Sequence, residues 1–387
     1  MVEQETSLRG TKQSAQLKTQ PLIPELRFKE FDGEWKENFI GKFSNVNSGY
    51  TFSRKYQGLS NEKWLYLKVA DIGIASNTKY LKTAINTVSE DILKKMKARP
   101  FRKGCIVFPR VGAALLNNNK KLLYEDSIID DNVLAVDIFE SKKYDDEFIY
   151  YWFLTKHLSM FCNNGQIPVI SATRVKSHPV LAPLRSEQQK IASFLSAVDE
   201  KIQQLTQKKS LLEQYKKGVM QQLFSGKLRF KDENGEDFPD WEEKRLGDII
   251  EFSNGKGHEQ SIDKGGKFIV VNSKFISTKG RVKKYCKTQI SPLNKGDIVM
   301  VMSDVPNGKA LAKCLIIDKA NRYTLNQRIC SLKAKSVINQ FLIYILNRNK
   351  YYLSFDSGVG QTNLKKNEVL NCPLFIPTSL KEQQKIA

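Results

Sequence analysis

The chain has 387 residues, with 62 Lys and Arg against 41 Asp and Glu, giving a formal net charge of +21. That length exceeds one ordinary hydrophobic core, so two or more folding units are expected, and 41% hydrophobic with 10% aromatic content is enough to fill them. The charge points to a polyanion whose phosphates release counterions on binding, which makes nucleic acid the expected partner; no basic amphipathic helix with a bulky apolar face favours lipid instead.

Residues 1–24 are rich in Gln, Thr and Lys and lack the apolar core of a secretory signal, so they read as a mobile tail. No stretch approaches the roughly 18 uninterrupted apolar residues of a membrane span. A cytoplasmic protein with no membrane partner is the expectation.

A first domain is expected over 25–185. It opens with Leu26-Arg27-Phe28-Lys29, Trp35 and Gly41. Short β-rich runs such as Cys105-Ile106-Val107-Phe108 follow, set between Gly, Asn, Asp and Lys clusters, which reads as strands with long loops. Asp146 to Phe161 combines aromatic and aliphatic residues at helical spacing and precedes Gly165-Gln166, which reads first as a structural turn and second as one presenting a glutamine amide. From 186 to 226 a long helix is expected, because Ser186 to Phe224 contains no proline and only one glycine, Gly218. Ser186 is the candidate cap, and Ser225-Gly226 ends the helix with a residue that tolerates a left-handed turn. Ile191, Leu195, Val198, Ile202, Leu205, Lys209, Leu212, Lys216, Val219 and Leu223 recur at alternating spacings of four and three, and the eight apolar ones form a coiled-coil seam on a rod of roughly 55 Å. A seam this narrow needs a partner helix or a partner protein.

A second domain is expected over 227–379, because the landmarks return in order. Leu228-Arg229-Phe230-Lys231 repeats the opening, Trp241 and Gly247 follow, and Gly296-Asp297-Ile298-Val299 matches the strand beginning at Gly104. Ser336 to Tyr352 repeats the helical run and Gly360-Gln361 repeats the turn. Glu187-Gln188-Gln189-Lys190-Ile191-Ala192 recurs as Glu382-Gln383-Gln384-Lys385-Ile386-Ala387. By composition alone such a match is roughly a one-in-a-hundred-thousand accident. The second copy of this hexapeptide should open a second helix at 380–387, and the sequence stops within its first two turns. Between landmarks the copies diverge, as Tyr66 to Ile72 set against Phe268 to Lys274 illustrates; two readers of different ligands and simple drift both produce that pattern.

Base reading needs Arg or Lys for guanine and Asn or Gln for adenine, with further basic residues on phosphates. Loops rich in these types are the candidates: Arg54 and Lys55 within Tyr50 to Gln57, then Lys68, Arg110, Asn117 and Lys120 in the first copy. In the second they are Lys256, Lys274, Lys279, Arg281, Lys283, Asn307, Lys309, Asn326, Gln327 and Arg328.

No catalytic constellation is expected. The six cysteines lack paired metal-site spacing and read as reduced core thiols, and His157, His178 and His258 are scattered. There is no phosphate-binding Gly-x-x-x-x-Gly-Lys-Ser/Thr loop, and Gly358-Val359-Gly360 lacks the third glycine of a dinucleotide site. Neither Asn-Pro-Pro nor Asp-Pro-Pro, the opening of the adenine-methyltransferase tetrapeptide, is present. Pro239-Asp240 with Glu242-Glu243-Lys244 has the residues of a metal nuclease signature at too short a spacing, and reads as a turn leading to a core tryptophan. No metal or cofactor is expected on this chain.

Ordered and duplicated, these landmarks resemble the specificity subunit of a Type I restriction-modification enzyme, over nearly everything from Leu26 onward. Carrying the resemblance are Leu26-Arg27-Phe28 to Trp35, the Gly-x-Ile-Val strands, Leu325-Asn326-Gln327-Arg328, the Gly-Gln turns, and the Glu-Gln-Gln-Lys-Ile-Ala helix that ends in Lys216 to Phe224. It implies an α+β fold: two similar target-recognition domains separated by a long coiled-coil helix, with the second helix truncated at the C-terminus. It further implies that each domain reads half of a split double-stranded DNA site and that an antiparallel helix pair acts as a ruler. The implied partners are two methyltransferase subunits, using S-adenosylmethionine to methylate adenine, and restriction/translocase subunits for cleavage. A truncated chain, or completion by another molecule, would explain the missing helix. Three readings stay open beside this one: a recognition subunit for a different modification or nuclease partner, a stand-alone metal-dependent nuclease, and a coiled-coil scaffold without DNA.

Overall fold

The computed structural model describes residues 24–387 except 52, 164, 166, 306 and 307. All of the expected tail but residue 24, and the candidates Asn307 and Gln166, therefore lie outside the described residues. Two compact units divide within the long helix, at Lys208 and Lys209.

In the first unit a five-stranded sheet runs in the order Ser44–Ser48, Val133–Ile138, Ile106–Pro109, Lys121–Leu123, Tyr80–Leu81. All neighbours are antiparallel except the last pair. A three-stranded sheet places Trp64–Leu67 between Asn86–Val88 and Ile128–Ile129. The second unit repeats this design with a four-stranded sheet, Ile250–Asn254, Ile329–Ala334, Ile298–Val301, Cys314–Ile316, and a three-stranded sheet with Phe268–Val271 between Tyr285–Cys286 and Tyr323–Leu325. In each unit one antiparallel pair ties the start of the domain to its end, Lys36–Phe39 with Pro179–Ala182 and Trp241–Arg245 with Pro373–Pro377.

The Gly-x-Ile-Val runs are central strands buried on both faces, and the period of two divides their side chains between two cores. Ile106 and Phe108 pack with Phe43, Phe153 and Phe161, while Cys105 and Val107 pack with Leu67, Leu81 and Leu123. Likewise Ile298 and Met300 face Phe341 and Tyr352, whereas Val299 and Val301 face Phe275 and Leu325. Each such side chain contributes roughly 1.5–3 kcal/mol by leaving water. The glycines before these strands sit at φ +87 and +94, the left-handed region that a side chain disfavours.

Two helices are shorter than their sequence patterns. The first stops at Leu154, and Leu158–Phe161 forms a separate 3-10 turn. The second runs Asn339–Leu346, breaks at extended Asn347 and left-handed Arg348 (φ +59), and resumes as Lys350–Leu353. Apolar spacing continues across each break because both pieces face one core; periodicity reports the buried face and not the backbone bonds.

The long helix spans Arg185–Phe224, 40 residues, so Ser186 lies inside it and is not its cap. Gly226, at φ +70, takes the chain out as expected. Ile191 and Leu195 are half-buried against the first core, Leu223 is buried and Val219 half-buried, and Val198, Ile202, Leu205 and Leu212 are exposed. A short helix, Leu380–Ile386, begins two residues before the second copy of the hexapeptide and carries its first five residues.

The repeated hexapeptide is a buried anchor. Glu187 takes bonds from Arg27 Nε and Nη2, both at 2.7 Å, and Glu382 takes the same two from Arg229 at 3.1 and 3.0 Å. Gln188 donates to the carbonyls of Lys143 (3.0 Å) and Pro183 (2.8 Å) and accepts the Asp145 amide (3.0 Å). Gln383 donates to Pro377 (2.9 Å) and accepts the Ile338 amide (2.9 Å). Burying a carboxylate and an amide is tolerable only with this degree of pairing, which is why Arg and Glu-Gln recur together, 160 residues apart in the first copy and 153 in the second. The tryptophans differ: the Trp241 indole donates to Glu382 at 3.1 Å, while the buried Trp35 indole nitrogen makes no hydrogen bond among the described residues.

Candidate nucleic-acid interface

Equivalent backbone in the two units builds one loop pair. After Ser44–Ser48 and Ile250–Asn254, Gly49 and Gly255 run so close to the facing strand that an added Cβ would lie 1.9 Å from the carbonyl oxygens of Ile129 and Asn326. Only glycine fits. The next residues form matching parallel bridges, Tyr50 with Asp130 and Lys256 with Asn326. Strand register thereby pairs Asp130-Asp131-Asn132 with Asn326-Gln327-Arg328. It also shifts the expected alignment of Tyr66 with Phe268: Leu67, next to Ile129, corresponds to Val271, next to Leu325.

In the second unit this brings four candidates together. The Lys256 amide donates to Leu325 O at 3.1 Å, the Gln327 amide donates to Lys256 O at 3.0 Å, and the Gln327 side chain donates to Glu259 at 2.6 Å. Arg328 is exposed at φ +67, and its carbonyl takes the Met302 amide at 2.9 Å. Asn326 Oδ1 is buried without a partner. His258 beneath the loop is buried between Lys256 O (2.7 Å) and the Thr324 hydroxyl (2.8 Å), a structural position.

In the first unit the loop is acidic. Asp131 accepts the Thr51 hydroxyl at 2.9 Å, and Asn132 donates to Asp130 and Asp131, each at 2.9 Å. Burial first, and the Asp130 charge second, push the Tyr66 phenol upward. Arg110, half-exposed, joins this loop through its backbone amide, 2.8 Å from Asn132 O. Residues 130–132 were not candidates in the sequence. They emerge only through the strand register, because no local motif links them to 326–328.

The remaining candidates occupy other segments. Arg54 and Lys55 are exposed on a 3-10 turn, Lys55 lies 4.7 Å from the Tyr56 ring, and half-exposed Lys68 reaches Gln57 at 3.3 Å. Lys274 is exposed on the helix Ser273–Ser277, and Lys279, Arg281 and Lys283 are exposed on the loop after it, where Arg281 Nε donates to Thr278 O at 3.2 Å. Lys309 is exposed on a turn wrapped around Asp304, whose carboxylate takes the Ala310 and Leu311 amides at 2.6 and 3.1 Å. Asn117 is exposed. Lys120 departs from expectation: it is 2% exposed, its ammonium bonds Asn118 O and Oδ1 at 3.2 and 2.8 Å, and burial lowers it to about 8. A left-handed residue at Asn118 (φ +54) folds the lysine back onto its own turn.

Among the described residues no group of three or more metal-binding side chains converges, and no helix is long and apolar enough to cross a membrane. Glu242 pairs with Lys244 at 3.3 Å on the strand Trp241–Arg245, and Asp240 is fully exposed. All six cysteines are free, five of them buried.

The sequence model of the family described as Type I restriction modification DNA specificity domain matches residues 32–214 and 239–387. The Type I restriction enzyme MjaIX specificity subunit of Methanocaldococcus jannaschii is 23% identical over 358 residues, covering 85% of this chain and 78% of that relative. The MjaVIII specificity subunit of the same organism is 25% identical over 213 residues, 53% of this chain and 49% of the relative; the chain thus matches about half that relative's length. Among solved structures, the S subunit of the M. genitalium Type I restriction-modification system aligns with a TM-score of 0.58 at 15% identity, covering 94% of this chain and 89% of that one. A chain from a study of complex assembly and conformational transition in the type I R-M system aligns at 0.51, also 15% identical, over 91% and 88%. At such identities these likenesses establish the fold alone. Two successive matches to one family model, on two units with the same paired sheets and the same buried anchor, show that the chain belongs to the Type I restriction-modification DNA specificity family, as a specificity subunit carrying the domain twice.

Proposed function

We propose that this chain reads a bipartite double-stranded DNA target, one half-site per domain, and directs adenine methylation and cleavage by partner subunits. The observation that carries this reading is one backbone frame holding two chemistries: Asp130-Asp131-Asn132 in the first domain where Asn326-Gln327-Arg328 stands in the second. Carboxylates accept from cytosine or adenine amines, whereas Asn and Gln suit adenine and Arg suits guanine, so identical loops so equipped prefer different bases. Lys256, Asn326, Gln327 and Arg328 contact bases or their flanking phosphates in the second half-site, with Lys274, Lys279, Arg281, Lys283 and Lys309 on the backbone. Arg110, Arg54, Lys55, Lys68 and Asn117 serve the first. Methyl transfer from S-adenosylmethionine belongs to methyltransferase subunits, and cleavage to restriction/translocase subunits. The exposed seam at Val198, Ile202, Leu205 and Leu212 supports pairing with a second helix.

The test is an exchange of residues 25–185 for the equivalent domain of a relative, read by sequencing methylated DNA from the assembled complex. One half of the modified sequence should change while the other stays. A change in both halves defeats the assignment of one domain to one half-site.

A further inference from the structure

The long helix is fastened to the first domain at two places. Glu187 and Gln188 form the first, and the second begins nine residues on, at Ser196 and Asp199. There the Lys79 ammonium donates to Glu147 Oε2 at 2.8 Å, to Ser196 Oγ at 2.6 Å and to the Tyr151 hydroxyl at 3.3 Å. Ser196 donates in turn to Glu147 Oε2 at 2.8 Å, Tyr151 donates to Asp199 Oδ2 at 2.8 Å, and the Tyr80 hydroxyl donates to Glu147 Oε1. Lys79 is 13% exposed and lies 4.8 and 5.3 Å from the ring centres of Tyr151 and Tyr80. Every side-chain polar atom of Lys79, Tyr80, Glu147, Tyr151 and Ser196 has a partner, so the arrangement is stiff.

A helix held at one place pivots about it; held at two, about 14 Å apart along its axis, it has one direction. Past Asp199, among the described residues, no hydrogen bond or ion pair joins the helix to the first domain, and its residues are exposed through Lys208. The second domain is built differently. Aligning Phe148 with Phe341, both in their cores, puts Gln340 at the position of Glu147 and Tyr344 at that of Tyr151. Lys79 immediately precedes the edge strand Tyr80–Leu81 of the five-stranded sheet, which the four-stranded sheet lacks. Of the first domain's own contributions, Tyr151 has a tyrosine counterpart in the second domain, whereas Glu147 and the strand after Lys79 do not.

We propose that Lys79, Tyr80, Glu147 and Tyr151 are positioning residues that lock the direction in which the long helix leaves the first domain, and thereby hold the subunit to one spacing between half-sites. This inference rests on the reading of the chain as a bipartite-site reader. It is tested in the full complex with its methyltransferase subunits, on a DNA library in which the spacer varies one base pair at a time, with hydrogen exchange measured over Ser196 to Asp199. Lys79→Met, Tyr151→Phe and Ser196→Ala should raise that exchange and raise methylation at neighbouring spacings on the order of tenfold relative to the preferred one, the ratio given by about 1.4 kcal/mol of lost coupling. The bases of both half-sites should stay the same. Ser196→Thr keeps the hydroxyl and should keep the wild-type spacing. Spacing that stays fixed in all three variants overturns the lock, whether or not exchange rises, and so does an altered half-site sequence. A wild-type complex that methylates no split site defeats the underlying reading instead.

Discussion

Gln188→Glu is the sharpest probe of the buried anchor. The side chain is 1% exposed and makes three bonds, accepting the Asp145 amide at 3.0 Å and donating to Lys143 O and Pro183 O at 3.0 and 2.8 Å. Glutamate keeps the size and the acceptor but loses both donated bonds and turns a carboxylate toward two carbonyl oxygens. At about 1 kcal/mol for each lost bond, with a further cost for the buried charge, the expected destabilisation of the first domain is about 3–5 kcal/mol. Gln188→Ala loses all three bonds without introducing charge and should cost about 3 kcal/mol; Gln383→Ala, with two bonds, should cost about 2 kcal/mol. The order therefore inverts a pure packing account, in which the isosteric glutamate would be the milder change. Chemical denaturation gives the stability of each domain, and hydrogen exchange at the Asp145 and Ile338 amides reports each anchor locally. A Gln188→Glu protein no less stable than Gln188→Ala, with Asp145 exchange unchanged, would refute the reasoning.

Three further outcomes are expected. Burial raises the Glu147 carboxyl, but bonds from Lys79, Tyr80 and Ser196 outweigh it and hold the group below the usual carboxylate range. Its stabilisation is therefore present at neutral pH and lost as pH falls through the lowered folded value, so the stability gap between wild type and Glu147→Gln should shrink below about pH 4 in denaturation curves taken across pH. Lys120 is lowered to about 8 by burial, so the unfolded chain binds the extra proton between about 8 and about 10.4; first-domain stability should rise with pH in that window, and Lys120→Met should flatten the rise. Inserting four residues near Thr206 lengthens the helix by about 6 Å, close to two base-pair rises, and the spacer between methylated half-sites should grow accordingly. An unchanged spacer would make the helix a docking surface and not a ruler.

Periodicity and repetition made much of this protein legible. Unbroken apolar runs identify the central strands at Ile106 and Ile298, because a strand buried on both faces has no other composition available to it. The duplicated Arg and Glu-Gln signal recurs because a buried ion pair and a buried amide leave few substitutes. The long helix was readable because 40 residues of uninterrupted helix exclude proline throughout. What needed the tertiary structure was everything set by register across space. Asp130 to Asn132 could be matched to Asn326 to Arg328 only through the parallel bridges that Tyr50 and Lys256 make with them, since the segments between have diverged and differ in length. Lys120 looked like a free cation, and only its left-handed neighbour Asn118 shows the chain folding it inward. The Lys79 cluster joins a strand, a helix and the long helix over more than a hundred residues, and no local pattern encodes such a meeting. Composition and period decide which faces are buried, because burial is a property of single side chains; which polar groups meet is decided by the packing of whole elements.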